Sequence, residues 1–123
     1  MLVVHDVEAA SAWFQDALGL RSGHGGDEYE MLLDGDELVL QLHCWDVHEH
    51  AYLGDVHDPS RGNGVAVWFS TDDFDGLLAR IDGGAVDVVD GPLFNSNAQH
   101  HEVWLRGPDG FLVVVSGPRL GSS

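Results

Sequence analysis

The stretch His43-Cys44-Trp45-Asp46-Val47-His48-Glu49-His50 brings histidine, thiol and carboxylate side chains together in one short run. Imidazole, thiolate and carboxylate are the usual donors to zinc and iron, and in an extended chain His48 and His50 project from the same side. A compact structural zinc site, however, needs paired cysteine or histidine elements, and Cys44 is the sole cysteine of the chain. Without a basic group assigned beside it, Cys44 reads as a small buried hydrophobe rather than a nucleophile. Spacing leaves metal binding open, so the surrounding elements must decide which of these side chains can meet.

Bulk properties narrow the field first. At 123 residues and 44% hydrophobic, the chain is expected to be a single domain, 1–123, with one core of its own. No apolar run approaches the roughly 20 residues of a membrane span, and no basic segment with an apolar signal core opens the sequence. The expectation is a soluble, cytoplasmic protein with no membrane partner. Twenty-one acidic residues stand against five arginines and no lysine, for a formal charge of -16. Nucleic acid is thereby excluded as a partner, because phosphate binding needs a basic surface. Such acidity suits a heavily hydrated surface, as in salt adaptation, or a field that attracts a cationic ligand.

Two helices with the same design are predicted. In Asp6–Leu20, Asp6 is the N-cap, Glu8 sits in the first turn, Val7, Ala10, Trp13, Phe14 and Leu18 share a face, and Gly19 stops the run. From Asp73 the plan repeats, with Asp75 in the first turn, a stripe of Phe74, Leu77, Leu78 and Ile81, and a stop at Gly83 and Gly84. An apolar strand precedes each helix, at 1–5 and 64–70. A hairpin with an Asp-Gly turn follows each, at 29–43 and 101–117. Laying one half on the other puts Asp6 on Asp73 and Gln41 on Val114, which makes the chain two copies of a β-α-β-β-β unit. The first unit is expected at 1–46, a linker at 47–62 and the second unit at 63–118. His48, Glu49 and His50 then fall in a solvated connection.

With the Asp-x-x-x-Ala-x-x-Trp-Phe-x-x-x-Leu-Gly run from Asp6 and the Pro-Asp-Gly turn from Pro108, this duplicated unit resembles the glyoxalase/bleomycin-resistance/dioxygenase superfamily, also called the vicinal oxygen chelate proteins. The resemblance implies an α+β fold in which two βαβββ units form a cupped eight-stranded sheet, in a homodimer whose second subunit completes the cup. It also implies a divalent metal or an organic ligand inside the cup. The enzymes of the family take four metal ligands. Carried over, the first falls upstream of Met1, the second on Gln41, the third near Ala66 and the fourth on Val114. One amide oxygen cannot hold a catalytic metal, which wants about three or more protein donors, so no cofactor is expected.

Strand alternation places Gln41, His43 and Trp45 on one side and Leu42 and Cys44 on the other. If Gln41 faces the cup, so do His43 and Trp45. Pairing across the second hairpin would turn His101, Val103 and Leu105 inward opposite Val114 and Leu112, Trp68 shares the parity of Ala66, and His5 that of Val3. The expected function is non-catalytic binding of a small, cationic drug or antibiotic, as in the bleomycin-resistance branch, hence antibiotic resistance. Trp45 and Trp68 would supply flat faces, and Gln41, His43 and His101 hydrogen bonds, around Val114. The alternative is a metal-dependent lyase, isomerase or dioxygenase with a displaced site built from His5, Gln41, His43 and His101. Nucleophilic catalysis has no Ser-His-Asp order to support it. The segment from Gly23 lacks the lysine and following helix of a phosphate-binding loop.

Overall fold

The computed structural model describes residues 1–45, 57, 65–84 and 86–120. His48, Glu49 and His50, with most of the segment expected to link the units, lie outside the described residues. The chain divides into two compact units, Met1–Arg61 and Gly62–Ser123. Among the described residues, no helix is long and apolar enough to cross a membrane.

The first unit runs β1 (Leu2–Val4), α1 (Val7–Leu18), β2 (Arg21–Ser22), β3 (Tyr29–Asp34) and β4 (Glu37–Cys44). Its sheet has the order β1-β4-β3-β2. The second unit repeats this with β5 (Ala66–Ser70), α2 (Phe74–Asp82), β6 (Asp87–Asn95), β7 (His100–Arg106) and β8 (Leu112–Ser116), in the order β5-β8-β7-β6. In both, the strand before the helix pairs in parallel with the last strand, and the remaining pairs are antiparallel. The α+β architecture of two βαβββ units expected from the duplication is what the chain adopts.

Local chemistry sets the helix ends. Asp6 accepts the backbone N–H of Ala9 at 3.0 Å, and Asp73 that of Gly76 at 3.0 Å, which satisfies one orphan donor in each first turn. Gly19 closes α1 in the left-handed region at φ 71°, where a side chain would be strained. Helix α1 buries Val7, Ala10, Ser11, Phe14 and Ala17. Trp13, expected in the core, is half-buried and meets Phe14 edge-on at 5.0 Å. Helix α2 buries Leu77 and Ile81, with Phe74 and Leu78 half-buried.

Each sheet has one face toward its helix. In the first unit Val4, Leu32, Leu40 and Leu42 build that side, and in the second Val103, Leu105, Val113 and Val115 do. The hairpin turns are pinned in the same way: Arg21 Nη2 donates to Gly35 O at 2.8 Å and Arg106 Nη1 to Gly110 O at 2.9 Å. The turns themselves differ. Asp34 pairs with Glu37 across a tight turn, whereas Arg106 pairs with Leu112 across the longer Gly107–Phe111 connection, in which Asp109 and Gly110 both take positive φ.

That connection overturns one expectation. Its extra residue pairs Trp104 with Val114 and Glu102 with Ser116, so His101, Val103 and Leu105 face α2 rather than sharing the side of Val114. A one-residue change of register moves every side chain of a strand to the other face. His101 therefore packs between Phe74 of α2, with ring centroids 6.3 Å apart, and Phe94 of β6, at 5.1 Å.

Candidate functional site

In the second unit the face turned away from α2 carries Ala66 and Trp68 on β5, Leu112, Val114 and Ser116 on β8, and His100, Glu102 and Trp104 on β7, as the strand period of two requires. Trp68, Val114 and Trp104 form one cross-strand row. Val114 is wholly buried, and the two indoles meet edge-to-face with centroids 6.0 Å apart. That geometry is favourable for aromatic pairs, because the positive ring edge meets the negative face. Trp68 Nε1 donates to Ser116 Oγ at 3.1 Å, which fixes the indole although the residue is 47% exposed. Its ring also lies 6.0 Å from that of His100.

Glu102 organises this face from below. Only 3% exposed, its carboxylate accepts from Asn95 Nδ2 at 2.8 Å and Trp104 Nε1 at 2.6 Å and meets His100 Nε2 at 3.1 Å. Burial pushes its pKa up, but these hydrogen bonds outweigh it and hold the carboxyl below its ordinary range. The group stays ionised and committed to three neighbours.

The corresponding face of the first unit holds Gln41 and His43. His43 stands in a row with Val3 and Tyr29, and Gln41 beside Met31. Tyr29 lies between two imidazoles, its ring 5.5 Å from His24 and 6.2 Å from His43. His5 and Trp45 approach at 6.5 Å. His43 Nδ1 lies 2.7 Å from Cys44 O. Gln41, His43, Tyr29 and Val3 thus share one side, while Cys44 follows Leu42 toward the helix side, as alternation predicted.

Metal binding can be tested against the side chains present. Of the positions where the family's ligands fall, Ala66 and Val114 offer only carbon, and Gln41 a single neutral oxygen. These residues do not fit a family-type metal. For the displaced set, His43 lies on β4 and His5 just past the end of β1, but His101 faces α2 in its own unit. Among the described residues, no three His, Cys, Asp or Glu side chains converge as a metal-holding group.

On the α2 side, a cavity of about 550 Å³ is lined by Phe74, Leu78, His101 and the aspartates 72, 73 and 75, among others. His101 belongs to this depression and not to the Trp68 face. Sequence reasoning missed His100, Glu102 and Trp104, and also His24 and Tyr29. The signal for the first three was present as alternation, His100-x-Glu102-x-Trp104, but a register wrong by one residue turned that set to the other side.

Residues 1–115 match the family model described as the Glyoxalase/Bleomycin resistance protein/Dioxygenase superfamily. The chain belongs to that superfamily. Solved structures agree on the fold. A protein of unknown function from Agrobacterium tumefaciens superposes with a TM-score of 0.75 at 15% identity, over 96% of this chain and 90% of that one. A virulence protein from Salmonella typhimurium reaches 0.65 at 21% identity, over 94% and 92%. A fosfomycin resistance protein from Mesorhizobium loti reaches 0.63 at 16% identity, over 97% and 88%. At such identities the likeness shows the fold alone. No curated protein matches the chain.

Proposed function

We propose that the protein is a non-catalytic binder of a planar, cationic aromatic molecule, like the bleomycin-resistance members of its superfamily, and that the ligand lies against Trp68 and Trp104. The observation that carries this reading is Trp68 itself: a large apolar ring, nearly half exposed, tied down by its own nitrogen and backed by a second indole. An exposed ring held in place costs little to order when a flat ligand stacks on it. The charge of -16 supports a cation, since an acidic field attracts one and an indole face binds one. Ala66 and Val114, which cannot donate to a metal, support binding without metal chemistry. We read the site in a homodimer, as the resemblance implies; sedimentation at micromolar concentration distinguishes dimer from monomer.

Tryptophan fluorescence during titration with ethidium or a bleomycin-type compound tests the reading. Binding should weaken as salt rises, because exposed charges are screened over roughly 10 Å at 0.1 M. Trp68→Ala should weaken it by on the order of 1 kcal/mol or more through lost stacking. Equal affinity in wild type, Trp68→Ala and Trp104→Ala would reject this face as the site. One tightly bound transition metal in the purified protein, lost on substitution of His43, would instead favour metal-dependent catalysis.

A further inference from the structure

Building on the aromatic-face reading, we propose that His100, oriented by Glu102, selects among flat ligands: its Nδ1 accepts a hydrogen bond, so ligands bearing an N–H or O–H donor are preferred over isosteres without one.

The argument is one of hydrogen-bond inventory. An ionised carboxylate only accepts, so the 3.1 Å contact between Glu102 Oε1 and His100 Nε2 requires the hydrogen to sit on Nε2. A neutral imidazole with its proton on Nε2 has a lone pair on Nδ1. Among the described residues Nδ1 has no hydrogen-bond partner, and it is not one of the buried polar atoms lacking one, so solvent reaches it. The neighbouring polar groups are hydrogen-bonded, and Ser116 is only 4% exposed. Ser116 Oγ accepts from Trp68, Asn95 Nδ2 donates to Glu102, and Asn95 Oδ1 accepts from the N–H groups of Asn97 and Ala98. That leaves His100 Nδ1 as an open acceptor beside the Trp68 ring, 6.0 Å between centroids.

Glu102 acts here as a positioning residue. Through Trp104 Nε1 and His100 Nε2 it holds an aromatic wall and the acceptor with one carboxylate, and its burial leaves it no contact with a ligand on Trp68. In Glu102→Gln the amide can donate to His100 Nε2 instead, which lets the ring carry its proton on Nδ1 and turns the acceptor into a donor. Shape would be kept and polarity reversed.

Proflavine and 10-methyl acridine orange separate these effects. Both are planar cations, but proflavine carries hydrogens on its amines and ring nitrogen and 10-methyl acridine orange carries no N–H. Calorimetric titration of the full chain at about pH 8 gives their affinity ratio in each variant. The ratio should shift against proflavine by about fivefold in His100→Ala and in Glu102→Gln, the size of one net hydrogen bond. His100→Phe, which keeps ring volume without the acceptor, gives the same reading where another variant does not fold. A ratio unchanged from wild type in the folded variants, with both dyes still bound, overturns the selectivity and leaves the aromatic face standing. Failure of wild type to bind either dye overturns the aromatic-face reading itself.

Discussion

Glu30 and Glu102 are each 3% exposed on the middle antiparallel strand of their sheets, yet they face opposite ways and hold different things. Glu30 points to the helix side. It accepts from Ser11 Oγ on α1 at 2.9 Å, Ser22 Oγ on β2 at 2.8 Å, and the backbone N–H groups of His24 and Gly25. Glu102 points away from the helix and holds Trp104, His100 and Asn95. The matching rows make the comparison sharper. Leu2, Leu42 and Glu30 lie in register in the first unit, and Phe69, Val115 and Val103 in the second, with Leu2 and Phe69 equally far before the N-caps Asp6 and Asp73. Where one copy ties helix to sheet through a carboxylate, the other packs valine. A buried carboxylate on the helix side ties helix to sheet, and one on the other side orders an aromatic surface.

The largest effect should come from removing the first of these anchors. Glu30→Val strands two hydroxyls and two backbone N–H groups around a site that cannot rehydrate fully, so a loss of about 3 kcal/mol is expected in urea denaturation. Adding Ser11→Leu, which moves the pair toward the apolar packing of the second unit, should recover about 1 kcal/mol of it. A loss below about 0.5 kcal/mol for the single variant would mean that the carboxylate does not hold this corner together.

Acid should expose both glutamates more gently. For Glu30, burial raises the pKa, but hydrogen bonds from Gly25, Ser22, Ser11 and His24 outweigh it and lower the value; Glu102 is lowered as well. A carboxyl whose folded pKa lies below its unfolded one contributes stability fully present above the unfolded value and lost as pH falls through the folded one. Wild-type stability should therefore drop on acidification below the ordinary glutamate range. Glu30→Gln and Glu102→Gln should each flatten that limb, and chemical denaturation along a pH series measures it. Identical slopes in wild type and both variants would contradict the depressed values.

The smallest effect tests where the copies agree. Asp6→Ala and Asp73→Ala each remove an N-cap acceptor for a first-turn N–H, so each should cost about 1 kcal/mol. Thermal melts of the two variants should nearly coincide. A much larger loss at one cap would show that the units depend unequally on their helices.

The sequence by itself determined the parts whose causes are local: both helices with their aspartate caps, the apolar strands, the hairpins and the duplication that relates them. Capping bonds span a few residues, and strand and helix periods are properties of neighbouring positions, so these features can be read along the chain. Alternation also assigned Gln41 and His43 to one side and Trp68 to the side of Ala66, because each of those inferences stayed within a strand. Tertiary structure decided the rest. Which face β7 shows depends on how many residues the Gly107–Phe111 turn consumes, and Asp109 in the left-handed region made that number one larger than the Asp-Gly signal suggested. From that single residue follow the placement of His101 against Phe74 and of His100, Glu102 and Trp104 beside Trp68. Hydrogen bonds among those side chains have no signature in composition, since they depend on strands brought side by side by pairing rather than by order along the chain.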